Sequence, residues 1–233
     1  FTSDSHGLIE EYSLLTDRLI HILPIPHTPP QRNDMSRFRT KTCCHFAYLG
    51  NARDEKGFEL LPDAIKRCLA EVSLSNVHFT IQSKSAESAD PCIKKAKQEL
   101  AALDDKAVTI IEETLSTEDY YSLMQQADAI LIPYRYYWYH ARTSGIFSEA
   151  LSLGKSFVMT KGTWMEKQAL KYNAGVTSFE DNDSEAMAES MIHLSNNMGD
   201  YSGRSETAMS LWRSFHNPSE YVRRIVGLAD KKP

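Results

Sequence analysis

Two short stretches of this sequence carry residue types that together can hold an anion. The first is Gly50-Asn51-Ala52-Arg53-Asp54-Glu55-Lys56-Gly57, where Arg53 and Lys56 place two cations ahead of an apolar helical pattern. Paired cations can clamp a phosphate, although the same residues also suit an exposed polar turn. The second is Thr143-Ser144-Gly145, which opens a helix with Ile146, Phe147, Ala150 and Leu151 on one side. Thr or Ser can cap such a helix, and Gly lets a ligand approach the backbone. The unpaired N–H groups and the positive dipole end then favour an anion. Glu149 follows within two turns, where it can face a bound group or simply offset the dipole. Just ahead lie Pro133 and the run Tyr134 to Tyr139, aromatic at every position but Arg135. The first loop contains neither GxGxxG nor GxxxxGK[ST], so the dinucleotide fingerprint and the Walker phosphate loop are both absent.

These loops belong to a repeating pattern of short β-type runs and helices. The runs are His45–Gly50, Val77–Ile81, Ala107–Ile111, Ala129–Ile132, Ser156–Met159 and Gly175–Phe179. Helical patterns lie at Gly57–Ile65, Ile93–Leu103, Thr117–Gln126, Trp164–Lys171 and Ser184–Asn196, with two more at Glu206–Phe215 and Ser219–Leu228. Strands of four to six residues alternating with longer helices predict an α/β fold: a doubly wound, Rossmann-like parallel sheet with helices on both faces. Ala129–Ile132 is apolar without alternation, as a central strand covered on both sides requires. Ligands of such sheets bind outside the carboxyl ends of the strands, which is where both candidate loops fall.

The first 44 residues read differently. Leu8–Leu15 predicts a short helix and Leu19–Leu23 a strand; Pro24–Pro30 then interrupts regular structure, and Gln31–Lys41 is polar and basic. This divides the chain into 1–23, 24–44 as a Pro-rich and basic linker, and a domain over 45–233. A long linker ahead of a complete α/β domain, in a chain starting at Phe1, leads us to expect a further domain in front.

The bulk properties narrow the function classes. The net charge of −5 argues against a general nucleic-acid binder. No apolar run reaches the roughly 18 residues of a membrane span. Cys43, Cys44, Cys68 and Cys92 make no CxxC pair, and His21, His78 and His193 have no second ligand at metal spacing. Trp164 and Trp212 sit among apolar residues at helical spacing and read as core or domain-packing residues. Asp128 carries no assigned chemistry, and the sequon Asn182-Asp183-Ser184 reads as accidental. These features suit a cytoplasmic protein, or one peripheral at a membrane surface.

In order along the chain come Leu49–Gly57, Leu115-Ser-Thr-Glu-Asp-Tyr120, Ala127–Tyr134, Ser144–Ala150 and Leu153-Gly-Lys155. Together they resemble the C-terminal, donor-binding domain of family-four (group 1) glycosyltransferases of GT-B architecture, over roughly Cys44 to Gly227. Phe1–Ser5 and Leu23–Pro26 resemble the end of that family's N-terminal domain. The resemblance implies transfer of a sugar, with retention, from a nucleotide-diphosphate donor to a glycan, lipid-linked or small-molecule acceptor, with no metal and no other cofactor. It implies that Lys56, helped by Arg53, neutralises the diphosphate leaving group. Glu149 resembles the second acid of the family's paired-glutamate motif, which binds the ribose hydroxyls. Backbone groups near Thr143, Ser144, Gly145 and Ile146 would cradle phosphate or sugar beside Gly50, and Leu115 lies where the family packs the base.

Two positions depart from the family. The first acid of the motif falls on Ala141, with His140 and Arg142 beside it as substitutes. The arginine expected directly after Gly50 is Asn51, and Arg53 comes two residues later. Tyr134 to Tyr139 is expected to form a rim beside the donor, partly exposed where an opposing domain is absent, so that the chain alone would transfer little. Two alternatives accompany this reading: a non-catalytic nucleotide- or sugar-binding module, and a GT-B sugar-nucleotide epimerase.

Overall fold

The computed structural model describes residues 1–28, 30, 43–72, 76–84 and 90–229. The predicted basic stretch Gln31–Lys41 lies outside them. Two parallel strands, β1 (Thr2–Ser3) and β2 (His21–Ile22), flank helix α1 (His6–Ser13) and make a small unit. The strand predicted over Leu19–Leu23 pairs only at His21 and Ile22, because β1 offers just two partners.

The main sheet has six parallel strands: β3 (Cys44–Tyr48), β4 (Val77–Gln82), β5 (Val108–Ile111), β6 (Ala129–Ile132), β7 (Ser156–Thr160) and β8 (Val176–Phe179). Their spatial order is β5-β4-β3-β6-β7-β8. With β3 to β8 taken as the first to sixth strands, this is the 3-2-1-4-5-6 order of a doubly wound nucleotide-binding sheet. The order reverses between β3 and β6, and a crevice opens where their loops diverge to opposite faces. The predicted fold class is therefore the observed one.

The period of two along the central strands supplies both faces with core. Phe46 and Tyr48 of β3, with Ala129 and Leu131 of β6, point into one apolar cluster. Ala47, Leu49, Ile130 and Ile132 point into the other. The first cluster is roofed by α2 (Leu61–Glu71), α3 (Pro91–Ala101) and α8 (Ser184–Asn196). The second is roofed by α4 (Thr117–Gln126), α6 (Gly145–Ser152), α7 (Trp164–Lys171) and α9 (Met198–Phe215). Trp164 and Trp212 are buried in that second cluster, as their spacing predicts. Helix α10 (Pro218–Ala229) closes the described chain.

Two local predictions need correction. The helix expected from Gly57 starts later: two 3₁₀ turns, Asp54–Lys56 and Phe58–Leu60, precede α2. Pro62 stands in its first turn, where its missing N–H removes no intrahelical bond, so the α-helix begins there. Helix α9 begins at Met198, not Glu206, since Gly199 and Gly203 obscure its apolar period without breaking it. The aromatic run contains a single helical turn, α5 (Tyr136–Tyr139).

Candidate functional site

The crevice between the β3 and β6 loops holds a pocket of about 470 Å³. From the β3 loop it is lined by Arg53, Glu55 and Lys56; from the β6 side by Tyr134, Tyr139, Arg142 and residues 143–146, with Glu149; and by Tyr120 of α4. The chain positions α6 by a side-chain cap: Ser144 is its N-cap, and its Oγ accepts the Phe147 N–H at 3.3 Å. The first turn of α6 therefore lines the pocket with its unpaired N–H groups. An added Cβ at Gly145 would meet nothing within 4 Å, so this glycine leaves the helix mouth open.

Three cations share this wall. Lys56 is partly buried, and burial first, then Arg53 and Arg142, push its ammonium below the ordinary 10.5, against the pull of Glu55. Its Nζ lies over the Tyr134 ring, 5.3 Å from the centroid. Glu55 stands between the arginines, 3.4 Å from Arg53 and 3.7 Å from Arg142. The Arg142 guanidinium also sits over the Tyr139 ring at 5.0 Å. Mutually repelling cations held together by one carboxylate form a site primed for a further negative charge.

Glu149 faces the same pocket, and its Oε2 accepts the Tyr120 hydroxyl at 2.7 Å. Burial, followed by the charge of Glu149, raises the Tyr120 pKa far above the ordinary range, so the phenol stays a donor. This bond fixes the direction in which Glu149 presents its remaining acceptor sites.

The predicted residues thus divide. Arg53, Lys56, Tyr134, Arg142, Thr143, Ser144, Gly145, Ile146 and Glu149 line one pocket. Gly50 lies behind Lys56: a Cβ there would stand 3.0 Å from Nζ. Leu115, partly buried after β5, lies outside the lining. His140 does not reach it either; its Nε2 meets Glu11 Oε1 at 2.8 Å and its Nδ1 meets the Tyr137 carbonyl at 3.1 Å. The aromatic run is not a uniform rim. Tyr134 and Tyr139 are buried, 1% and 3% exposed, with ring centroids 4.6 Å apart; Tyr136, Tyr137 and Trp138 are 47%, 74% and 50% exposed. Arg135 sets this split by pairing with Glu59 and with Asn182, while the Tyr136 N–H donates to Asp181 at 3.0 Å. The unpredicted members are Glu55 and Tyr120. Glu55 was signalled only by its place between two cations, and Tyr120 only as the end of the Leu115–Tyr120 motif.

Among the described residues, no group of three or more His, Cys, Asp or Glu could hold a metal, and no helix is long and apolar enough to cross a membrane.

The chain thus combines a doubly wound α/β sheet with a cationic pocket at its switch point, where sheets of this class place their ligands. The chain belongs to the group 1 glycosyl transferases, whose family description matches residues 43–197. No curated sequence matches it. Its fold is that of the C-terminal half of GT-B enzymes. It is similar to Alr3699/HepE of Anabaena, solved with UDP and glucose, at TM-score 0.74 and 13% identity, over 99% of this chain and 62% of that one. Sucrose-phosphate synthase of Thermosynechococcus elongatus gives TM-score 0.72 at 11% identity, over 99% of this chain and 57% of that one. The C-terminal domain of the group 1 protein LpcC of Francisella tularensis gives 0.63 at 15%, over 84% of this chain and 97% of that one. The chain therefore spans about three fifths of the two longer structures.

Proposed function

We propose that this chain is the donor-binding part of a retaining glycosyltransferase that uses a nucleotide-diphosphate sugar. The observation that carries the proposal is the convergence of Arg53, Lys56, Arg142, the α6 N-terminus and Glu149 on one pocket. The charges match the ligand. Around the phosphate-facing side, Arg53, Lys56 and Arg142, offset in part by Glu55, oppose the roughly two negative charges of a diphosphate, while Glu149 lies on the ribose side. When the bond from sugar carbon to phosphate oxygen breaks, its electron pair stays on the diphosphate, and a fixed Lys56 favours that charge more in the transition state than before. Glu149, oriented by Tyr120, accepts hydrogen bonds from the vicinal hydroxyls of the ribose. The acceptor is a hydroxyl of a glycan, lipid-linked or small-molecule substrate.

One observation favours a second reading, a donor-binding module without transfer: position 141 carries no acid and is buried. Calorimetric titration of uridine and guanosine diphosphates, and of their hexose conjugates, separates the two when paired with a turnover assay. Tighter binding of a conjugate than of its diphosphate, or release of nucleoside diphosphate from it, supports the transferase, and equal binding of both without release supports the module. Absence of binding by every one of these ligands contradicts both.

A further inference from the structure

Sugar hydroxyls are held well by carboxylates, because a hydrogen bond to an ionised acceptor is roughly twice as strong as a neutral one. The two carboxylates lining the pocket are already engaged, Glu55 by two arginines and Glu149 by Tyr120. Position 141 cannot supply a third. The Ala141 carbonyl accepts the Ser5 hydroxyl, and a Cβ added to Gly7 of α1 would stand 3.0 Å from the Ala141 Cβ. A longer side chain at 141 would run into α1.

The contact that closes position 141 brings another carboxylate against a residue of the pocket wall. Asp4 precedes the α1 N-cap Ser5, and its Oδ2 accepts the hydroxyl of pocket-lining Thr143 at 3.2 Å. That is the sole hydrogen bond of the Asp4 side chain among the described residues. A carboxylate offers about four acceptor sites, so most of its capacity remains, one hydrogen bond behind the lining residue Thr143.

We infer that Asp4 is a specificity-determining residue that accepts hydrogen bonds from hydroxyl groups of the donor sugar, with Thr143 holding it in place. The inference rests on the donor reading of the pocket and adds to it the class of sugar. A carboxylate at this position favours a neutral, hydroxylated sugar and repels one that carries a carboxylate of its own. Asp4 takes no part in the chemistry of the leaving group.

The test is a calorimetric titration of the full chain with uridine diphosphate, UDP-glucose, UDP-glucuronate, guanosine diphosphate and GDP-mannose, for the native sequence, Asp4→Asn and Thr143→Val. Asp4→Asn is expected to weaken the preferred neutral nucleotide sugar about ten-fold while shifting its nucleoside diphosphate less than two-fold. Thr143→Val should give a smaller loss in the same direction, and Asp4→Asn should narrow the gap between UDP-glucose and UDP-glucuronate. Equal losses for sugar and diphosphate would reduce Asp4 to a structural contact of α1, and an unchanged ratio would likewise overturn the inference. Both results leave the donor reading intact. If the native chain binds the diphosphates but none of the sugars, the inference fails alone. If it binds none of the five ligands, the donor reading fails with it.

Discussion

Gly57 and Pro133 touch across the switch point of the sheet. Gly57 adopts φ +64°, and a Cβ on it would come 1.9 Å from the Pro133 carbonyl oxygen. This contact presses the Arg53–Lys56 turn onto the β6 loop. The Arg135 N–H adds to it by donating to the Glu55 carbonyl at 3.0 Å. Two distant stretches of sequence make one pocket because no side chain separates them here.

Gly57→Ala is accordingly expected to disturb both fold and site. The left-handed conformation alone costs a residue with a Cβ about 1–2 kcal/mol, and the backbone clash adds to that. A melting temperature lower by roughly 4–8 °C, with loss of nucleoside-diphosphate binding, is the expected outcome. Unchanged thermal unfolding and binding would show that the two loops are not held this way.

Gly145 makes the opposite case. Its missing side chain leaves space, not a contact, so Gly145→Leu should leave the melting temperature unchanged or slightly raised, Leu being the better helix former. The same change fills the helix mouth and should weaken uridine- or guanosine-diphosphate binding more than ten-fold by calorimetry. Full affinity in this variant would place the phosphates elsewhere.

The segment after β2 is tied to α9 by a bond that depends on pH. His216 Nδ1 accepts the Ile25 N–H at 3.0 Å, and its ring stacks on Trp212 with centroids 3.6 Å apart. Burial first, then His27 and Lys171, lowers its pKa from 6.5 to about 3. Between those values the unfolded chain holds the extra proton. The stability from this group is therefore complete above pH 6.5 and is lost as pH falls toward 3, by up to about 1.4 kcal/mol per pH unit. His216→Asn keeps an acceptor in place but does not titrate, so its urea midpoint should fall less steeply from pH 7 to pH 4 than that of the native chain. Parallel curves would show that His216 does not couple to folding.

Much of the fold was legible because its signals are local. Ser116, Thr163 and Asp183 cap α4, α7 and α8, and those helices run over the predicted residues. Strand β6 was legible because both its faces are buried, which forces a continuous apolar run. The interior of the site was less so. That Tyr134 and Tyr139 turn inward while Tyr137 turns outward depends on Arg135, Glu59 and Asp181, which are far apart in sequence. The Tyr120–Glu149 bond likewise joins α4 to α6 only once the sheet has formed. His140 illustrates the same limit: next to the motif position by number, it is turned away by a partner 129 residues earlier.

The central claim is that Lys56 and Glu149 hold the diphosphate and the ribose of one nucleotide. Calorimetric titration of uridine and guanosine diphosphates into the native chain, Lys56→Ala and Glu149→Ala tests it directly. The account predicts that the native chain binds at least one of the two, and that each substitution weakens that ligand by about ten-fold or more, as loss of a charged hydrogen bond requires. Native affinity for both ligands in both variants would contradict it.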